Sequence, residues 1–308
     1  MKILLTGASG MVGMNISNHH QFNQYEWLLP RHSELDLMDY HSVESYIMLH
    51  RPDFIIHAAG KVGGIQANIR EPVSFLIDNL EMGKNLLLAA SNVGIKKLLN
   101  LGSSCMYPRN RDTALTEDDV LSGELEPTNE GYALAKITVA RLASYINREN
   151  NDFFYKTMIP CNLYGPYDKF DPVKSHMIPS VLRKLHIAKK NNDSTVEVWG
   201  AGHAKREFMY VGDLADAVYL AISKIETMPE MLNIGLGHDH SVNEYYNIAA
   251  KIVGYGGSFS HDMSKPEGMS RKLTCVDKAH KWGWRAKTSL EDGLTKTYNF
   301  FLKHNIDI

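Results

Sequence analysis

The chain has 308 residues, 44% hydrophobic and 22% charged, enough to bury a substantial core and to divide it between two lobes. A formal net charge of −2 gives no global attraction to nucleic acid, and no apolar run approaches the roughly 18–20 residues needed to cross a bilayer. Three separated cysteines, Cys105, Cys161 and Cys275, without a Cys-x-x-Cys spacing, argue against a disulfide framework or structural zinc and for a reducing compartment.

In chain order, the opening Met1–Leu5 is too short for the apolar region of a signal peptide, so a cytoplasmic protein without a membrane partner is expected. Ile3–Thr6, Glu26–Leu29, Phe54–Ala58, Lys97–Leu101 and Phe154–Pro160 read as strands with helical stretches between them. Such alternation predicts a parallel sheet covered by helices. Beyond Pro160 the pattern predicts a helix from about Met177 to Lys190, a strand at Thr195–Trp199, a helix from Leu214, a strand at Leu232–Ile234 and two further helices. This predicts a second, smaller α/β lobe interleaved with the first: residues 1–164 and 206–234 form the nucleotide-binding part, residues 165–205 and 235–308 the substrate-binding part. Ser241-Val-Asn-Glu244 and Thr288-Ser-Leu-Glu291 have the spacing of capping boxes. His238-Asp239-His240 lacks companion ligands and reads as a helix entry, so no metal site is expected.

Directly after the first strand stands Gly7-Ala-Ser9-Gly10-Met11-Val12-Gly13. Three glycines here let the backbone turn tightly and approach a pyrophosphate at the amide-rich start of a helix. The second strand ends in Leu28-Leu29-Pro30-Arg31-His32-Ser33, with no acid before Glu34 to hold a ribose 2′-hydroxyl. Arg31 is instead placed to meet a 2′-phosphate, which favours NADP(H) over NAD(H). Asp36 and Leu37 are candidates to lie beside the adenine, and Asp39 can equally serve as a helix N-cap. The pairs Lys205-Arg206 and Arg271-Lys272 could serve a local anion.

Tyr132-Ala-Leu-Ala-Lys136 places a phenol and an ammonium on one helix face. The nearby cation is expected to lower the phenol's pKa, making Tyr132 a proton donor to a carbonyl, with Ser103 donating to the same oxygen. A glycine loop, a serine after the fourth strand and Tyr-x-x-x-Lys, in this order, resemble the short-chain dehydrogenase/reductase superfamily and imply a Rossmann-type doubly wound sheet. The helix around Tyr132 is apolar or small on more than one face, and the resemblance implies a homodimer formed with the helix near Phe75–Ala90.

Further motifs narrow the likeness: Lys61-Val-Gly-Gly-Ile-Gln-Ala-Asn68, Gly102-Ser-Ser-Cys-Met-Tyr-Pro108, Glu126-Pro-Thr-Asn-Glu130, Asn162-Leu-Tyr-Gly-Pro166, Ser175-His-Met-Ile-Pro179, Val198-Trp-Gly200, Arg206-Glu-Phe208, and Lys265-Pro266 through Lys272. Together they resemble the GDP-L-fucose synthase family, whose members epimerise C3 and C5 of GDP-4-keto-6-deoxy-D-mannose and reduce C4 with NADPH. The resemblance implies Ser103, Tyr132 and Lys136 as the reductase group, with Cys105 and His176 as base and acid of the epimerisation. It places Asn162, Leu163 and His176 beside the cofactor with Tyr132 and Lys136, and Met177, Lys184, Trp199, Arg206 and Lys272 on the GDP-sugar. The chain departs from the family at Ala8-Ser9, where His-Arg is usual, at Gly131, where proline is usual, and at Gly212, where aspartate is usual. A sibling reductase or C5-epimerase/reductase acting on a dideoxy sugar or deoxyheptose is the alternative. A non-enzymatic NADP-sensing protein would have no need of all five catalytic side chains.

Overall fold

The computed structural model describes residues 1–171, 175–265 and 269–304; Pro266 of the last quoted motif lies outside them. The apolar runs become β1 (Lys2–Thr6), β2 (Glu26–Leu28), β3 (Phe54–His57), β4 (Lys97–Leu101) and β5 (Phe154–Pro160), each within a residue of its predicted bounds. Then follow β6 (Asn162–Tyr164), β7 (Thr195–Trp199), β8 (Lys205–Arg206), β9 (Phe208–Tyr210), β10 (Met231–Ile234), β11 (His240–Ser241), β12 (Ser258–Asp262) and β13 (Arg271–Lys272). Six strands form one parallel sheet in the order β2-β1-β3-β4-β5-β10.

Strand side chains alternate between faces, and each face has its own core. Ile3, Leu5, Phe54, Ile56 and Leu99 face a core closed by α1 (Met11–Ser17) and, from later in the chain, the helix starting at Val211. Leu4, Ile55, Leu98 and Tyr155 face the other core, closed by α2 (Tyr40–His50), then, beyond α3 (Ile65–Arg70), by α4 (Pro72–Val93) and α5 (Glu130–Glu149). Both faces covered means continuous apolar strands, which is how they read in the sequence. The chain leaves β1 toward β2 on one side and toward β3 on the other, so a crevice opens at the β1/β3 switch point, above the carboxyl ends.

The remaining helices are α6 (Met177–Asn191), α7 (Val211–Lys224), α8 (Val242–Val253), α9 (Asp277–Trp282) and α10 (Leu290–Lys303). α6, α8 and α10 enclose another core around Leu182, Leu185, Val198, Tyr245 and Phe301, flanked by the β7–β12 pair. α7 begins a turn earlier than Leu214, with Val211 already fully buried beside Gly165. The Ser241–Glu244 capping box forms. The second does not: Ser289 caps α10 through Asp292, while the Thr288 amide and hydroxyl donate to the buried Asp213 carboxylate at 3.1 and 3.0 Å. Asp39 caps α2, accepting from the His41 amide. Among the described residues no helix is long and apolar enough to cross a membrane.

Glu207, 1% exposed between β8 and β9, joins the parts. Its carboxylate accepts from the Leu236 and Gly237 amides beyond β10 and from the Thr274 amide and hydroxyl beyond β13. Burial pushes its carboxyl up, and these four donors oppose that shift. Glu207→Ala would leave buried donors unpaired and should lower the unfolding free energy by about 3 kcal/mol, measured by urea denaturation. A loss within about 0.5 kcal/mol would show that the junction does not depend on it.

Candidate active site

The turn between β1 and α1 is built on glycine for two separate reasons. Gly7 has φ +73, and a Cβ there would lie 2.6 Å from the Ala59 amide nitrogen; at Gly13 it would lie 2.3 Å from the Gly7 carbonyl oxygen. Gly10, the α1 N-cap, differs: a Cβ there would make only ordinary contact, 3.4 Å from the Gly7 oxygen. Nothing among the described residues demands glycine at 10, and its bare backbone faces the crevice. That open cradle at the start of a helix fits a pyrophosphate.

The crevice is a cavity of about 530 Å³ that runs from this turn to the end of β4. Gly7, Ser9, Gly10, Met11, Val12 and Gly13 line one end, and Ser103, Cys105, Tyr132, Lys136, Asn162, Leu163, His176 and Met177 line the other. Three elements bring the reactive groups together. A short turn after β4 presents Ser103, whose hydroxyl accepts from the Cys105 amide at 3.2 Å. The first two turns of α5 present Tyr132 and Lys136, and the N-cap of α6 presents His176.

Lys136 is buried, and its ammonium donates to the Leu101 carbonyl at 2.9 Å. Desolvation lowers its pKa to about 8. His57, at the end of β3 with Nδ1 2.9 Å from the Thr6 hydroxyl, is held neutral by burial and by Lys136, its pKa lowered to about 3. The expected lowering of the Tyr132 pKa is not found. Burial pushes the phenol well up, negative charge on Cys105 adds to this, and a hydrogen bond with Ser103 only partly opposes it.

Three neighbours of these groups were not singled out from the sequence. Asn129 donates to the Cys105 sulfur at 3.2 Å. Asp168, buried, sets Oδ1 3.7 Å from His176 Nδ1, behind the imidazole. Asn68, 7% exposed, lines the cavity from α3. Asn68 and Asn129 stand inside quoted motifs, but only the fold shows what they face.

Seven candidate site residues lie outside the cavity wall. Arg31 is exposed in the turn after β2, where its backbone amide donates to Glu34; Asp36 caps the Met38 amide and the Leu37 carbonyl accepts from Asn85. Lys184 and Lys265 stand over the half-exposed Trp199 ring at 5.4 and 5.8 Å. Arg206 and Lys272 are register partners on β8 and β13. Arg271, the other cation of that pair, is taken by the buried Asp239 side chain at 2.6 Å. Among the described residues no group of acids, histidines and cysteines could hold a metal.

Residues 3–235 match the model of the NAD dependent epimerase/dehydratase family. The chain belongs to that family. Within it, the chain is 56% identical over 302 residues to a GDP-L-colitose synthase of Yersinia pseudotuberculosis, the match covering 98% of each chain. It is 40% identical over 312 residues to a GDP-L-fucose synthase of Escherichia coli K12, covering 98% of this chain and 97% of that one. Its fold superposes with a TM-score of 0.91 on a GDP-D-glycero-L-gluco-heptose synthase from Campylobacter jejuni solved in the presence of NADPH, at 28% identity and covering 98% of both chains. The family's double-wound sheet and crevice are the ones described above.

The Lys136 shift has a measurable consequence for folding. Its pKa is about 8 when folded and near the ordinary 10.5 when unfolded, so between these values the unfolded chain binds more protons. Stability therefore gains with rising pH through that window, on the order of 3 kcal/mol across it from this group. The gain should appear as the difference between wild type and Lys136→Met in denaturation series from pH 7.5 to 10 (about the span of the window). Parallel curves for the two proteins would contradict the burial argument.

Proposed function

We propose that the chain is an NADPH-dependent GDP-sugar epimerase/reductase that inverts carbon beside a 4-ketone and then reduces that ketone. The observation that carries this reading is that Cys105, His176, Ser103 and Tyr132, groups suited to serve as base, acid and two donors, line a single cavity with the glycine cradle. Gly7, Gly10, Gly13, Ser9, Met11 and Val12 would hold the pyrophosphate end of the cofactor, and Lys136, Asn162 and Leu163 its reactive end. Arg31 would meet the 2′-phosphate, with Asp36 and Leu37 beside the adenine. When bound, the nicotinamide supplies the hydride for C4.

The protein's own groups account for the proton movements. Cys105, its sulfur accepting from Asn129, removes a proton next to the ketone, and the electron pair moves onto the C4 oxygen. Ser103 and Tyr132 donate to that oxygen as charge develops. His176 returns a proton to the opposite face, its Nδ1 3.7 Å from the Asp168 carboxylate. At the reduction step Tyr132 gives its proton to the C4 oxygen. Lys184, Trp199, Arg206 and Lys272 would take the GDP portion, and Met177 would pack on the sugar.

Two substrates suit this chemistry. GDP-4-keto-6-deoxy-D-mannose, inverted at C3 and C5, leads to GDP-L-fucose. A counterpart deoxygenated at C3 has no stereocentre there, so only C5 inverts; the 56% identity to the Yersinia colitose synthase, against 42% to the Azorhizobium caulinodans fucose synthase, favours this second reading. Both share C5 inversion and C4 reduction. The reading also includes a homodimer through α4 and α5, where Val73, Ile77 and Leu134 are exposed apolar residues.

In deuterated water without active reduction, wild type should introduce deuterium at C5 of either ketosugar, and at C3 of the one with a C3 hydroxyl. Cys105→Ser should introduce almost none yet still reduce C4 when NADPH is added. NMR of the products reads both events, and the kcat/KM ratio of the two ketosugars decides between them. Normal exchange in Cys105→Ser would remove Cys105 as base.

For the cofactor, wild type should prefer NADPH to NADH by about tenfold or more, equivalent to about 1.4 kcal/mol from one favourable charge contact. Fluorescence titration of wild type and Arg31→Ala checks this. An unchanged preference in the variant would place the 2′-phosphate elsewhere.

A further inference from the structure

Asn129 stands where asparagine usually caps a helix, and its side chain does something else. It is the N-cap of α5, yet it makes no side-chain bond to the first-turn amides. Asparagine is among the residues that best satisfy those amides, so the omission costs the helix stability. Its Oδ1 adds a second cost, being buried without a hydrogen-bond partner. The side-chain hydrogen bond that Asn129 does make runs from Nδ2 to the Cys105 sulfur, at 3.2 Å. Both residues line the cavity, and a local rule broken at such a wall points to a role in the site.

Among the described residues the sulfur has no other hydrogen-bond donor. The amides of its own turn are taken: Cys105 donates to the Ser103 hydroxyl at 3.2 Å, Met106 to the Ser103 carbonyl at 3.0 Å and Tyr107 to the Ser104 carbonyl at 3.3 Å. The other titratable groups lining the cavity are Tyr132 and Lys136 on α5, Cys161 after β5 and His176 at the start of α6. Lys136 donates to the Leu101 carbonyl, His176 has the Asp168 carboxylate at 3.7 Å, and negative charge on Cys105 pushes the Tyr132 phenol up. A thiolate accepts and cannot donate, so it must meet the nitrogen of the amide. A hydrogen bond to the charged form favours that form.

Resting on the function proposed above, we infer that Asn129 is a positioning residue for Cys105, its amide nitrogen holding the sulfur as the thiolate that takes the proton beside the ketone. The thiolate so held also keeps Tyr132 protonated for its part as donor. Once the sulfur has taken the proton its charge is gone, and the amide contact weakens.

The test is the rate at which iodoacetamide alkylates Cys105 in the folded protein, followed by peptide mass spectrometry so that Cys161 and Cys275 are read separately. Only the thiolate reacts. Asn129→Ser and Asn129→Asp both keep a good helix cap, so the start of α5 is preserved. Serine is too short to reach the sulfur, and aspartate sets a negative charge beside it. At about pH 7 both variants should react about tenfold more slowly than wild type, and by about pH 9.5 the serine variant should approach the wild-type rate. The inference is overturned if the variants react as fast as wild type, or faster, which would place the amide oxygen against an S–H. It is also overturned if the serine variant is slower by one factor at every pH, since that reports access to the sulfur and not its ionisation. Alkylation needs neither substrate nor turnover. Absence of deuterium exchange at C5 in wild type would therefore remove the proposed reaction and leave the Asn129–Cys105 pair standing, while equal alkylation rates beside normal exchange would do the reverse.

Discussion

The Glu207 carboxylate is the constraint that ties the segments leaving β10 and β13 to the β8–β9 turn. It stands between β8 and β9, and its two oxygens collect donors from the exits of β10 and β13. Its backbone carbonyl accepts from Asn162, which lines the cavity. A lone buried carboxylate would be very costly; four donors in fixed backbone positions offset the desolvation and make the junction specific. An apolar side chain of similar volume could fill the space but could not dictate where Leu236, Gly237 and Thr274 must lie. The cavity wall at Asn162 is thus set by a residue that does not itself line the cavity.

The Tyr132–Lys136 end of the cavity uses the opposite strategy, in which burial is opposed by few partners. Lys136 donates to Leu101, and its environment lowers its pKa to about 8 while keeping it charged at neutral pH. Tyr132 is pushed up by the same burial. A phenol with a raised pKa is a poor acid toward water but stays protonated, and the alkoxide formed on reducing a ketone is far more basic than a phenolate. Proton transfer remains downhill. In the proposed reaction the requirement on Tyr132 is to hold a proton at the C4 oxygen, and burial would serve it as well as acidity.

How much of this is legible in the sequence follows from the range of each interaction. β1 to β5, the glycine turn and the Tyr132–Lys136 pair are local: strand, turn and one helix face are decided within a few residues. β8, β11 and β13 are two-residue strands that exist only because distant segments meet, so no periodicity announces them. Thr288 shows the same limit. Its spacing to Glu291 satisfies a capping rule, yet the buried Asp213 claims its hydroxyl and the cap moves to Ser289. Asp239 likewise removes Arg271 from the cations free for an anion. In both cases a long-range acid overrides a local pattern.

The departure at Gly131 has a steric reason of the same kind. A Cβ there would lie 2.9 Å from the Pro72 carbonyl oxygen and 3.4 Å from Leu76 Cβ, so the first turn of α5 rests directly on the start of α4. A proline ring at 131 would need that contact to open. Tyr132 follows on the next residue, its ring edge-on to Phe75 of α4 at 6.4 Å between centroids. α4 begins just beyond α3 and the Gly63–Gly64 turn, and Gly63 in turn is packed on Phe75, which a Cβ would approach to 3.1 Å. The phenol and the Gly63–Gly64 turn are therefore placed by one set of contacts around Phe75.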